Sequence, residues 1–273
     1  MRVGFIGLGS QGAPMAHRIV AAGHPTTLWA RRPAALEPFA DTAARVAASP
    51  AELAASSDLV CLCVVNDADV AQVGDEVLAA MAPGSVIAVH STVHPDTCRA
   101  LAERAAARGV AVVDAPVSGG APAASAGTLV VMVGGEASVV ERCRPVFASY
   151  GDPVAHLGPL GSGQIAKLIN NVLFTANLGT AASALALGAE LGVDRAQLAE
   201  VVAHGSARSY AFESVKNAGG TLDRIAAYAG ALLQKDVGLV TELADKAGAV
   251  PKTVLATADS TLADMGQTGH ERA

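Results

Sequence analysis

The side chains best suited to chemistry lie in Gly161-Ser-Gly163-Gln164-Ile-Ala-Lys167-Leu-Ile-Asn170-Asn171. At helical spacing Gly163, Lys167, Asn170 and Asn171 share one face, because positions three and four apart are neighbours. Ile165, Ala166, Leu168 and Ile169 flank Lys167. The sequence therefore predicts a desolvated ammonium whose pKa falls toward the range where it exchanges protons near neutrality. Hydride transfer at an alcohol carbon needs such a group, which takes the hydroxyl proton and returns it in reverse. The alternative is a surface lysine lying along its helix, with the two asparagines bonding neighbouring helices.

A second group is Gly7-Leu8-Gly9-Ser10-Gln11-Gly12, a G-x-G-x-x-G pattern. It follows a short apolar strand at Val3–Ile6, opens a helical stretch at Gly12–Ala22, and precedes a second strand at Thr26–Ala30, as a dinucleotide-binding βαβ unit requires. The first glycine permits the tight turn, the second lets backbone approach a pyrophosphate, and the third lets helix and strand touch; the helix N-terminus adds N–H donors. A ligand-free tight turn is the alternative. NAD binders usually place a carboxylate at the end of the second strand, where this chain has Arg31-Arg32-Pro33. Two guanidinium groups suit a 2′-phosphate, so NADP is expected over NAD, unless both arginines merely cap a solvated loop.

Further polar residues follow strand-like runs. Val65-Asn66 and Ser91-Thr92 stand at carboxyl ends of strands, where doubly wound sheets build their ligand crevice, so Asn66 and Thr92 are candidates for the ribose and nicotinamide end. Asn and Thr are also ordinary helix caps. In Asp114-Ala-Pro116-Val-Ser118-Gly119-Gly120 the serine and two glycines form a nest able to hold a carboxylate, or else a flexible turn; Asp114 is expected to fix the loop. Lys235-Asp236 lies in a helical apolar pattern, where Lys235 could reach a substrate carboxylate or the cofactor with Asp236 orienting it, although the pattern alone favours a solvated charge pair.

These residues need a scaffold, and the chain supplies an alternating one. Strands at Val3–Ile6, Thr26–Ala30, Leu59–Val65, Val86–His90 and Val110–Asp114 are separated by alanine-rich helices, one ending near Ala40 and another capped by Ser49 with Pro50 first. That pattern is an α/β Rossmann-type doubly wound parallel sheet. After Gly158-Pro159-Leu-Gly161 the chain reads as helix after helix, with starts at Asp194, Thr221 and Pro251, then a frayed tail from Gln267. A dinucleotide-binding domain at 1–160 is thus followed by an all-α domain at 161–273.

Composition narrows the rest. A net charge of −6 gives no basic footprint for nucleic acid. Hydrophobic residues make up 51% and aromatics 3%, so small aliphatic side chains fill the core. Cys61, Cys63, Cys98 and Cys143 form no CxxC pair and read as reduced core thiols, with Cys61 and Cys63 on one strand face; no metal site is expected. The apolar stretch Ile165–Val193 carries Lys167, three asparagines and Glu190, which argues against a membrane span, and no signal peptide is evident. A cytoplasmic protein is expected.

With these motifs in order along nearly the whole chain, the sequence resembles the β-hydroxyacid dehydrogenase family, which includes 3-hydroxyisobutyrate and 6-phosphogluconate dehydrogenases. Gly7–Met15 is similar to its cofactor turn, Asp114–Gly120 to its substrate loop, Gly161–Asn171 to its catalytic helix start, and Lys235-Asp236 to its late Lys-Asp motif. The resemblance implies that Lys167 is the general acid/base and that Ser118, Gly119, Gly120 and Asn171 hold a small carboxylate substrate. It implies that Thr92 and Lys235 line the nicotinamide end, that Val65 and Asn66 meet the cofactor, and that Arg31 marks NADP preference. It also implies a homodimer or homotetramer assembled through the helices. Ser10-Gln11 and Ala30 depart from the family's frequent residues, and the helical pattern stops after Met265, short of the family's last helical segment. Two other functions fit parts of the pattern. Imine reductases share the architecture but generally lack a lysine at the position of Lys167; a non-catalytic dinucleotide-binding regulator would not need it.

Overall fold

Short apolar runs bounded by glycine, proline or polar caps form the strands, and alanine-rich stretches form the helices between them. The computed structural model describes residues 1–250 and 252–267. In chain order come β1 (Val3–Ile6), α1 (Gly12–Ala21), β2 (Thr26–Trp29), a 3₁₀ helix (Pro33–Phe39), β3 (Arg45–Val46), α2 (Pro50–Ala55), β4 (Leu59–Leu62) and α3 (Asp67–Leu78). β5 (Val86–Val89), α4 (Pro95–Ala106), β6 (Ala111–Asp114), β7 (Val117–Ser118), α5 (Gly120–Ala126), β8 (Leu129–Gly134), α6 (Ala137–Phe147) and β9 (Gly151–Gly158) follow. Then come α7 (Ser162–Glu190), α8 (Arg195–His204), α9 (Tyr210–Asn217), α10 (Asp223–Ala247) and α11 (Val254–Asp264).

The nine-stranded sheet has the order β3-β2-β1-β4-β5-β6-β8-β7, with β9 beside β8. β1 pairs in parallel with both β2 and β4, so the strand order reverses beside it, and that is where a doubly wound sheet opens a crevice. Adjacent residues of each central strand enter opposite cores. Phe5, Cys61 and Ala88 join Met15, Phe147 and Tyr150 on one face; Ile6, Val60, Leu62 and Ile87 join Leu53 and Leu101 on the other. Cys63 packs against the same core as Cys61, as the two-residue spacing requires.

The sheet is not wholly parallel. β8 runs antiparallel to β6 and β7, because the seven-residue helix α5 between β7 and β8 is too short for a parallel crossover. β8 and β9 are absent from the sequence reading; β9 contains Pro153 and is largely exposed, which hides its pattern. Past Leu62 the expected long strand stops, because the Val64 N–H is given to the Ser91 side chain. Before Ala40 the helix is a 3₁₀ turn with Pro38 inside it.

The chain divides into two units, one from Met1 to Lys167 and one from Leu168 onward. The division lies inside α7, later than Gly161, because the first turns of α7 are bonded to the sheet unit. The second unit is helical among its described residues. α7 is long and apolar enough to cross a membrane by length and composition, but Leu168, Val172, Ala176, Leu178 and Leu185 lie in the helical core. Asp194 caps α8 by accepting from Gln197 N, and Thr221 sits just before α10, bonded to Asp223. The expected start at Pro251 and residues 268–273 of the expected tail lie outside the described residues.

Candidate active site

The three glycines of the turn have separable reasons to be glycine. At Gly7, φ is +103° and a Cβ would stand 2.1 Å from the Cys63 carbonyl oxygen; at Gly12 it would stand 1.9 Å from the Gly7 carbonyl oxygen. At Gly9 it would meet nothing within 4 Å, so the protein itself does not demand glycine there. An open second glycine is what a pyrophosphate lying against the backbone requires. Gln11 precedes α1, and its Nε2 is buried without a hydrogen-bond partner, a donor available to a ligand oxygen. No acidic residue stands in the first turn of α1, leaving its N–H groups and positive end for phosphate. Leu8 is buried beneath the turn and Ser10 is exposed on it. These residues fit a dinucleotide.

Arg31 and Arg32 are exposed at the end of β2. The sequence reading finds no carboxylate beside them, but the fold brings one from α3: Arg31 Nη2 lies 2.8 Å from Asp69 Oδ1. Asp69 stands outside the glycine-turn and arginine motifs, since it comes from a different strand's exit. Asn66 Oδ1 accepts from the Asp69 backbone N–H at 2.9 Å, so its side chain caps α3. Val65 beside it is 67% exposed, an apolar side chain left uncovered at the carboxyl edge.

The next strand exits are tied together by buried polar groups. Asp114, at the end of β6, is fully buried; its Oδ1 accepts from Gly161 N and its Oδ2 from Gln164 N, each at 2.6 Å. Burial pushes its carboxyl upward, against the pull of those N–H donors. Asp114 thus anchors the start of α7 rather than its own loop. Gln164 is fully buried as well; its Nε2 donates to Ser91 O at 2.8 Å and its Oε1 accepts from Val93 N at 3.1 Å. Thr92, between those two residues, is half-buried. Lys167 is half-buried too, with Ile165 at 42% and Ile169 at 53% exposure. Of its apolar neighbours in sequence, Leu168 turns inward while Ile165 and Ile169 face outward, because successive residues of a helix point in different directions. Ser118 ends β7 half-buried, and Gly119 and Gly120, with φ of 129° and 70°, turn the backbone into α5.

In the helical unit, Asp236 is 3% exposed and accepts from Asn171 Nδ2 at 2.6 Å; Lys235 Nζ lies 3.0 Å from its Oδ1. The pair read as solvated is therefore buried on its acidic side, because α10 turns Asp236 inward with Leu233, Val237 and Val240. Asn170 Nδ2 donates to Asn171 Oδ1 at 3.1 Å. Asn171 follows Lys167 by one helical turn of α7.

Other titratable groups are held inert. His90 is buried with Nδ1 2.6 Å from Ala115 O and Nε2 3.3 Å from the Tyr150 hydroxyl, and burial lowers its pKa to about 4. Burial raises the Cys63 thiol to about 12 and that of Cys143 to about 11, so neither offers a thiolate. Among the described residues no His, Cys, Asp or Glu cluster has the makings of a metal site.

The chain is similar to known proteins over most of its length. The sequence profile of the NAD binding domain of 6-phosphogluconate dehydrogenase matches residues 2–158, and that of NAD-binding of NADP-dependent 3-hydroxyisobutyrate dehydrogenase matches residues 161–273. The NAD-dependent L-serine dehydrogenase of Pseudomonas aeruginosa is 35% identical over 253 residues, covering 89% of this chain and 85% of that protein. The 3-hydroxyisobutyrate dehydrogenase of the same organism is 36% identical over 247 residues, covering 87% and 83%. A structure of Mycobacterium tuberculosis 3-hydroxyisobutyrate dehydrogenase with L-serine superposes with a TM-score of 0.84 at 29% identity, over 98% of this chain and 97% of that one.

Proposed function

The chain belongs to the β-hydroxyacid dehydrogenase family, and from that premise we propose an NADP-dependent oxidoreductase that interconverts a small β-hydroxyacid and its semialdehyde or keto acid. The coarser statement, a nicotinamide-dependent dehydrogenase acting on CH–OH groups, follows from the family. The observation that carries the finer one is Lys167 in the first turns of a helix locked to the same sheet edge that bears the open glycine turn.

Gly7–Gly12, Val65 and Asn66 would hold the dinucleotide, with Arg31 and Arg32 at its 2′-phosphate and Thr92 toward the nicotinamide. When bound, the nicotinamide supplies the hydride acceptor or donor. Lys167, unprotonated, takes the hydroxyl proton during oxidation and returns it during reduction. In the sheet unit the serine and glycine N–H groups of Ser118–Gly120 would hold the substrate carboxylate; in the helical unit the Asn171 amide is steadied by Asp236.

Lys167→Ala should reduce turnover of a responsive hydroxyacid about 10³-fold, the scale of a lost general acid/base, while NADPH binding followed by fluorescence titration persists. Wild-type turnover in that variant removes Lys167 from the mechanism. The four free thiols accord with a cytoplasmic protein, and exposed Leu191, Val201 and Tyr228 on the helical unit accord with a homodimer or homotetramer.

A further inference from the structure

We propose that Gln164 is a positioning residue that sets Lys167 against Thr92. The Ser91 carbonyl belongs to the peptide before Thr92 and the Val93 N–H to the peptide after it, so the Gln164 amide grips both peptide planes on which Thr92 turns. Gln164 also stands three residues before Lys167, on the turn of α7 that Asp114 ties to the end of β6. Ser91 extends the strap, because its Oγ accepts from Val64 N at the exit of β4. One buried amide thus links the proton-handling lysine to the segment facing the nicotinamide end, within one unit of the chain.

The chemistry of the amide is specific. Its Nε2 has a second contact, Cys98 Sγ at 3.9 Å, and its Oε1 is used by Val93 N, so donor and acceptor are both engaged. A carboxylate offers no donor to Ser91 O, and an apolar side chain of equal length strands a buried carbonyl and N–H. A displacement of about 1 Å at a reacting group costs about 10²-fold in rate, so a loosened clasp should be read in kcat.

This role presupposes Lys167 as the proton-handling group, and a double-variant cycle separates the two ideas. Gln164→Met should retain NADPH affinity within about twofold, lower kcat about 30- to 100-fold with little change in KM, and shift the midpoint of the pH–kcat profile. In a Lys167→Ala background the same change should cost almost nothing more, since both losses pass through one group. A readout without turnover is the rate at which an amine-acylating reagent labels Lys167 in the cofactor-free protein, by mass spectrometry; Gln164→Met should change it, leaving Lys235 unaffected. Gln164→Asn, which keeps an amide one methylene shorter, carries the same expectations should the methionine variant not fold. The positioning role is overturned if kcat holds in a folded variant, or if the two losses multiply. Undiminished turnover in Lys167→Ala alone instead overturns the function proposed above.

Discussion

Each unit of the chain buries a carboxylate near the residues of interest, and the two are held differently. Asp114 in the sheet unit accepts from backbone N–H groups of Gly161 and Gln164, while Asp236 in the helical unit is met by the side chains of Asn171 and Lys235. Backbone donors are set by the path of the chain and cannot turn away. Side-chain donors can rotate, and an amide can present its oxygen in place of its nitrogen. The sheet unit therefore offers a rigid register, and the helical unit an adjustable polar pair.

The largest expected effect on stability tests the rigidity of the sheet core. His90 titrates near 6.5 when unfolded and about 4 when folded, so across that window the unfolded chain binds the additional proton. Stability present above pH 6.5 is lost as pH falls, by about 3 kcal/mol from this group. Urea denaturation at pH 7 and pH 4 should show that wild type loses more than His90→Gln by this amount; equal losses would mean His90 is not buried neutral.

The same substitution in both units sharpens the contrast. Asp114→Asn should destabilise by about 2 kcal/mol, since one amide nitrogen then faces a backbone N–H, although removal of a buried charge offsets part of the loss. Arg31→Asp is next: the NADP-to-NAD preference in kcat/KM should fall about tenfold, near 1.4 kcal/mol, as the cation proposed to face the 2′-phosphate is lost. An unchanged ratio would refute the role of Arg31. Asp236→Asn should be the mildest, under about 1 kcal/mol in urea, because Asn171 can turn its oxygen toward the new amide. If Asp236→Asn proves costlier than Asp114→Asn, the distinction between a rigid and an adjustable carboxylate fails.

What the amino-acid order determined alone is local. The glycine turn, the core strands β1 to β6 other than the two-residue β3, the Ser49 and Asp194 caps and the run from Gly161 to Asn171 follow from residue types at spacings of a few positions. Only the tertiary structure decided which distant groups meet: Asp69 with Arg31, Asp114 with Gly161, Gln164 with Ser91, Asn171 with Asp236. It also decided that β8 runs backward and that Lys167 is half-buried rather than enclosed. The reason is that backbone preference acts over one or two turns of chain. Burial, and the pairing of polar groups removed from water, depend on partners tens of residues away, which spacing along the chain does not encode.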